Sequence, residues 1–304
     1  MKIGHKSRAA VEELQIKLTH STLGRLPMLI DGIFGRQTDF VVRQFQKQHG
    51  LVQDGIAGPN TRAVLNEITK DKFCISLHGG HGGLDPFTGE YATLPSTGKR
   101  YHHEGADLHK GGWFLEGVEN RIAANALAEK LRKLGVFVLV THHHYKCDYG
   151  NLSTHIKQTL PYIKAGYRGG TIPLHSNAVS TKDRTQQQLD AIQGSYVFTT
   201  KGNTYSDACS KVMLQELKNE FNDWIRFRDR KDFATESSDA EANFQVLREA
   251  EAAAKYYNNA HWFAFLIENG FFTSLPDCLK IIANREKYVQ CIINAVLKIK
   301  DKWE

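Results

Sequence analysis

Three apolar runs in this chain each end on a polar side chain, and no other feature narrows the fold as far. Phe73-Cys74-Ile75-Ser76-Leu77 leads into Gly80-His81-Gly82-Gly83, Thr171-Ile172-Pro173-Leu174 delivers His175, and Trp262-Phe263-Ala264-Phe265-Leu266-Ile267 delivers Glu268. Runs of this kind read as buried strands, covered on both faces as in a parallel sheet. Ligand groups of such a sheet belong at the carboxyl ends of its strands, so His81, His175 and Glu268 are expected along one edge. The glycines around His81 permit a sharp turn and are expected to leave room for a bulky substrate. Glu116 stands just ahead of the amphipathic stretch from Asn120 to Leu134. Two histidines and this carboxylate form a donor set suited to zinc, with Glu268 left over as a base.

From Lys72 onward, strand-like runs alternate with amphipathic helical ones. Val136 to Val140 and Ser195 to Thr199 add strands, while Ser153 to Ala165, Tyr205 to Asn222 and Asn284 to Lys300 add helices. The alternation predicts an α/β architecture, a mostly parallel twisted sheet with helices on both faces. With 304 residues the chain has room for two domains, each able to hold a core. No run of about 18 apolar residues exists, so no membrane span is expected. Met1-Lys2-Ile3-Gly4-His5-Lys6-Ser7-Arg8 is followed by polar residues instead of the apolar core of a signal peptide, which predicts a cytoplasmic chain. Cys74, Cys147, Cys209, Cys278 and Cys291 are scattered and lack a CxxC pairing; they read as reduced thiols, neither a disulfide frame nor a cysteine zinc site.

The first seventy residues carry an internal repeat. Asp31-Gly32-Ile33-Phe34-Gly35-Arg36-Gln37-Thr38 and Asp54-Gly55-Ile56-Ala57-Gly58-Pro59-Asn60-Thr61 share a D-G-I-x-G-x-x-T pattern, each a glycine-rich turn running into a helix start. Apolar residues at helical spacing, such as Phe40, Val41 and Phe45, predict a small three-helix bundle from Val11 to Ile68. Residues 1–70 hold ten Lys and Arg against six Asp and Glu, most of the chain's net charge of +6. Such a basic face suits an anionic polymer or is simply solvated. The doubled turn and Phe45-Gln46-Lys47-Gln48-His49-Gly50-Leu51 resemble the peptidoglycan-binding domain found at the ends of many wall hydrolases.

The remainder also resembles a known family. Gly80-His81-Gly82-Gly83-Leu84-Asp85-Pro86, Glu116 with Asn120, Leu174-His175-Ser176-Asn177-Ala178 and Leu266-Ile267-Glu268-Asn269-Gly270-Phe271-Phe272 occur in the order and approximate spacing of zinc-dependent N-acetylmuramoyl-L-alanine amidases. The resemblance implies that His81, Glu116 and His175 hold Zn2+ and that Glu268 is the catalytic base. The chain departs from the family at His78-Gly79, where an aspartate-proline pair is usual, so His78 competes with His81 as a ligand. Glu119 likewise competes with Glu116, because both precede the same helix.

Other histidines have plainer readings. His142-His143-His144 cannot aim three adjacent side chains at one ion and reads as a solvated strand end. His102, His103 and His109 fall in a polar stretch from Pro86 to Gly112, longer than an ordinary connection and read as a substrate rim, a lid or a surface excursion. Arg226, Arg228, Arg230 and Lys231 are interspersed with Asp229 and Asp232, which dilutes any field for nucleic acid.

Together these features predict a peptidoglycan-binding domain over residues 1–70 and a zinc amidase domain over residues 71–304. Peptidoglycan is the expected partner, with no nucleic-acid or membrane partner and a monomeric state. The expected setting is a phage endolysin, held in the host cytoplasm before release onto the wall. A zinc peptidase cutting the stem peptide and a non-catalytic wall-binding protein are the alternatives.

Overall fold

The computed structural model describes residues 1–304 except 94, 148–152, 202–203, 223, 225–239, 242–243 and 303–304. The cluster of Arg226, Arg228, Arg230 and Lys231 therefore lies outside the described residues.

Three helices open the chain: α1 (Arg8–Ser21), α2 (Arg36–Gln48) and α3 (Pro59–Ile68). They close on Val11, Leu14, Leu18, Phe34, Val42, Phe45 and Leu65. Phe40 does not join this core and is 57% exposed. The two repeat turns share one hydrogen-bonded cassette. Gln15 Nε2 donates to Asp31 Oδ1 (2.8 Å) while Gly32 N donates to Gln15 Oε1 (3.0 Å), and Gln46 makes the same bonds with Asp54 (2.8 Å) and Gly55 N (3.0 Å). Each aspartate also accepts from the N–H two residues on, and each glutamine reaches the isoleucine carbonyl and the threonine hydroxyl that complete the turn. Gly32 and Gly55 both sit at φ 71°, in the left-handed region that glycine enters without strain. The repeat is thus a device for satisfying buried polar groups. Its glutamines precede their aspartates by 16 and by 8 residues, which hides them from a search for a fixed period.

Strands and helices then alternate. The strands are β1 (Phe73–Gly79), β2 (Arg100–His102), β3 (Trp113–Leu115), β4 (Phe137–Val140), β5 (Arg168–Asn177), β6 (Tyr196–Thr199), β7 (Ala240–Glu241), β8 (Trp262–Ala264) and β9 (Leu266–Phe271). The helices are α4 (Glu116–Lys133), α5 (Ser153–Lys164), α6 (Gln186–Asp190), α7 (Tyr205–Phe221), α8 (Gln245–Tyr256), α9 (Leu275–Ala283) and α10 (Arg285–Lys302). The main sheet runs β4-β1-β5-β9-β6-β7, with β8 also beside β5, and only the β6–β9 pair is antiparallel. Strand alternation divides the β1 side chains between two layers. Phe73, Ile75 and Leu77 join the core with α4, α7 and α10, whereas Cys74 packs with Tyr162 and Ile163 of α5. Helices therefore cover both faces of a mostly parallel sheet, as the alternation of runs predicts.

One irregularity has a covalent cause. β8 and β9 are a single extended run broken at Phe265, whose N–H donates to Thr171 O at 3.2 Å. The next bond of a parallel ladder would run from the N–H of residue 173 to Phe265 O, and Pro173 has no N–H.

The helical bundle is packed tightly onto the sheet. His20 of α1 stacks on Phe137 of the edge strand β4 at 4.7 Å between ring centroids, and its Nδ1 lies 2.9 Å from the Tyr167 hydroxyl. Burial pushes the His20 pKa down to about 4, so this contact is made by a neutral ring. Val138 N donates to Leu23 O (3.3 Å), covering the outer edge of β4 with the turn after α1. Arg132, 9% exposed, fastens that turn by donating to Leu23 O, Gly24 O and Val138 O.

Candidate metal centre and active site

The backbone first decides where His81 points. Among the described residues it is one of four non-glycines with positive φ, at 64°, a costly conformation that tends to collect at functional sites. The surrounding glycines make room, but for the protein itself. A Cβ on Gly80 would lie 2.1 Å from the His175 ring, and one on Gly117 would lie 2.0 Å from Gly82 O. The space that the sequence assigns to a substrate is filled by His175 and by the start of α4.

Glu116 is the first residue of α4 and is fully buried. Its Oε1 stands 3.2 Å from His81 Nε2 and 3.1 Å from His175 Nδ1, and it accepts from Ser176 N at 3.3 Å. Asn120, one turn on, points its Nδ2 at Glu116 Oε1 (3.5 Å) and Gly80 O (3.4 Å). One ligand atom from each of His81, Glu116 and His175 lies within 4.8 Å of the others. Burial alone would raise the Glu116 pKa, yet the facing His81, then His175 and Lys99, hold it far below the usual carboxylate range. Burial lowers the pKa of His175, favouring the neutral ring that a metal requires. Burial is the largest single influence on His81 and acts in the same direction, but the Glu116 charge and hydrogen bonds to Cys147 and Glu116 together raise its pKa.

Glu268 joins this group from the neighbouring strand. It is the register partner of His175 across β5 and β9, and it is 9% exposed. Burial, and after it the negative charge of Glu116, raise its pKa to about 8. Glu116 Oε2 and Glu268 Oε2 are both buried without a hydrogen-bond partner. Two buried carboxylate oxygens without hydrogen bonds beside two imidazoles are a poor way to end a protein core and a good way to hold a dication. The residues present therefore fit zinc, in a set of two nitrogens and one carboxylate with a position left for water.

Neither competing residue belongs to the ligand triplet. Glu119 is paired with Arg285 of α10 (2.6 and 2.7 Å) and with His109 Nε2 (3.0 Å). His78 shares the α5 side of the sheet with His175, their ring centroids 6.3 Å apart, but its ring packs against that of His155 at 3.6 Å between centroids and it stands outside the ligand triplet. His103 Nε2 lies 3.0 Å from Phe272 O. His143 and His144 are exposed as expected of a strand end, but His142 is buried and accepts from Gly79 N through Nδ1 (2.9 Å).

Two participants carry no signal in the sequence. Lys99 comes from the long excursion before α4 and sets its ammonium 3.7 Å from Glu116 Oε2. Arg121, 4% exposed, donates to Gly80 O, Gly117 O, His143 O and Lys146 O, so one guanidinium fixes the His81 loop, the α4 start and the segment after β4. Both act across loops whose proximity only the fold creates.

Comparison with known proteins places these observations. Residues 7–65 match the family model described as "Putative peptidoglycan binding domain". The zinc D-Ala-D-Ala carboxypeptidase of Streptomyces albus G is 38% identical over 65 residues, 21% of this chain and 26% of that protein. A spore cortex-lytic enzyme of Bacillus cereus is 40% identical over 60 residues, 20% of this chain and 22% of that protein. The chain thus spans about a quarter of the length of the curated relatives it matches. The crystal structure of N-acetylmuramoyl-L-alanine amidase from Clostridium difficile 630 superposes with a TM-score of 0.50 at 20% identity, covering 76% of this chain and 98% of the other. The chain therefore joins a helical unit of the peptidoglycan-binding type to the fold of an N-acetylmuramoyl-L-alanine amidase.

Proposed function

We propose that this protein hydrolyses peptidoglycan at the amide between the lactyl group of N-acetylmuramic acid and L-alanine. The observation that carries the reading is the cluster of buried Glu116 with half-buried His81 and His175 at the strand ends, with Glu268 in register beside His175. Zinc in this set would supply Lewis acidity and bring the pKa of a water toward about 7. Glu268 takes the proton from the attacking water and passes it to the departing amine of L-alanine. Glu268, held protonated by burial and the Glu116 charge in the metal-free chain, would be favoured as the carboxylate base once His81, Glu116 and His175 held a dication. Arg121 and Asn120 keep the His81 loop and Glu116 in place while charge moves. His81, Glu116 and His175 serve as the ligands, and the bundle of residues 1–70 serves as the wall-binding module.

No helix among the described residues is long and apolar enough to cross a membrane. Action on the cell wall is the coarse assignment, and lysis of a host by a phage endolysin is its finer form. The test is digestion of purified wall followed by mass spectrometry. Stem peptides with a new L-alanine amino terminus are expected, with lysis abolished by chelation and restored by zinc. Cleavage inside the stem peptide would identify a zinc peptidase, and full activity after verified metal removal would overturn the assignment.

A further inference from the structure

The excursion before α4 forms a half-open cavity of about 520 Å3, lined by Glu90, Tyr91, Arg100, Lys110, Trp113 and Leu115 among others. It is built against the metal-ligand set. The Tyr91 hydroxyl donates to Lys99 O (3.0 Å) and accepts from Gly117 N (3.0 Å), and Glu116 N donates to the same Lys99 carbonyl (3.3 Å). Thr93, also in the lining, accepts from Gly82 N at 2.6 Å. The wall of the cavity is thus hydrogen-bonded to the residues next to His81 and Glu116.

Its chemistry is cationic and aromatic. The Arg100 guanidinium lies over the Trp113 ring at 4.9 Å, and it has no carboxylate partner among the described residues. Lys110 is held over the cavity by donating to Gly89 O (2.8 Å), leaving two of its three N–H donors for a ligand. Glu90 is the one acidic residue in the lining. An arginine guanidinium is a planar fork of donors that can take a carboxylate through two parallel bonds.

We infer that this cavity is a substrate subsite that recognises a free carboxylate on the stem peptide, on the L-alanine side of the bond to be cut. The assignment rests on the reaction proposed above for the choice of ligand, while the cationic cavity stands independently of it. It makes the excursion a specificity element that distinguishes stems with a free carboxylate from stems in which that group is a carboxamide.

The test uses the full chain and a pair of dipeptides beginning with L-alanine, both blocked as the amide at the carboxyl terminus. They differ only in whether the second side chain ends in a carboxylate or a carboxamide. Binding is measured by ligand-observed NMR, which requires no turnover. The carboxylate form is expected to bind about tenfold or more tightly, as for a charge-assisted pair. In R100Q/K110Q the ratio between the two ligands should fall to about one, and R100K should restore part of it. Equal binding by the wild-type chain, binding of neither, or a ratio unchanged in R100Q/K110Q would overturn the subsite. Matching muramyl peptides tested for cleavage separate the two claims. Cleavage of both at equal rates defeats the subsite and leaves the reaction standing, whereas selective binding without any cleavage defeats the reaction and supports the subsite.

Discussion

At the scale of single residues, the raised pKa of the buried Glu268 carries the sharpest test of its proposed role as the base. A carboxyl group with a raised pKa binds more protons folded than unfolded between its ordinary value of 4.5 and about 8. In that window the unfolded chain holds fewer protons, so stability falls as pH rises. Metal-free wild type should therefore lose melting temperature from about pH 5 to pH 8, and E268Q should lose less, because an amide does not titrate. Equal slopes for the two proteins in a thermal-shift series would refute the raised pKa. With zinc bound, E268Q should keep its metal and fold but lose about a hundred- to ten-thousandfold in rate, the worth of a general base. A purely structural glutamate predicts the reverse pattern, a lower melting temperature with nearly normal lysis.

At the scale of elements, the paired turns of the bundle are held by two glutamines that the repeat itself does not contain. Q15L or Q46L would strip the turn of a donor and an acceptor together, leaving the buried glycine N–H without its partner and the aspartate and threonine each short of one bond. Each substitution should cost about 1–3 kcal/mol, measurable by denaturant unfolding, and a change within error would show that the cassette is not what closes the turn. The strand alternation in β1 carries a similar lesson. Phe73, Ile75 and Leu77 face the α4 layer, so His78 falls with Cys74 and Ser76 toward α5, where Ser76 Oγ meets Thr159 at 2.9 Å. Parity alone separates His78 from Leu77, yet it does not say which face of the sheet carries the site.

At the scale of the whole molecule, the two expected domains share a buried seam. Ile16 of α1 lies in one cluster with Phe137, Leu139, Tyr162 and Tyr167, and Lys300 of α10 pairs with Asp71 in the connection at 2.6 Å. Removing residues 1–71 would bare Phe137 and Tyr167 and free the outer edge of β4. The fragment 72–304 should therefore melt below the full chain and aggregate more readily, since an uncovered edge strand is a template for pairing. A fragment as stable and soluble as the parent would show that the seam is incidental. Residues 1–70 alone should sediment with purified peptidoglycan, more weakly as salt rises if their basic excess contributes; absence of sedimentation at every ionic strength would remove the targeting role.

The sequence by itself determined the α/β class, the helical bundle ahead of it and the polar residues at the strand ends. These are written in local patterns: apolar runs of strand length, helical spacing, and glycines at turns that need positive φ. Only the tertiary structure decided between rivals that local pattern leaves equal. Glu116 and Glu119 lie three residues apart near the start of one helix, and it is Arg285, far along the chain, that claims Glu119. The glycines around His81 looked like space for a ligand until His175 filled it, Arg121 had no local mark, and for Lys99 and the cavity over Trp113 the only mark was the unusual length of the stretch from Pro86 to Gly112. Periodicity records which face of an element is buried, whereas a site depends on which distant groups share that burial, and that is fixed only when the layers pack.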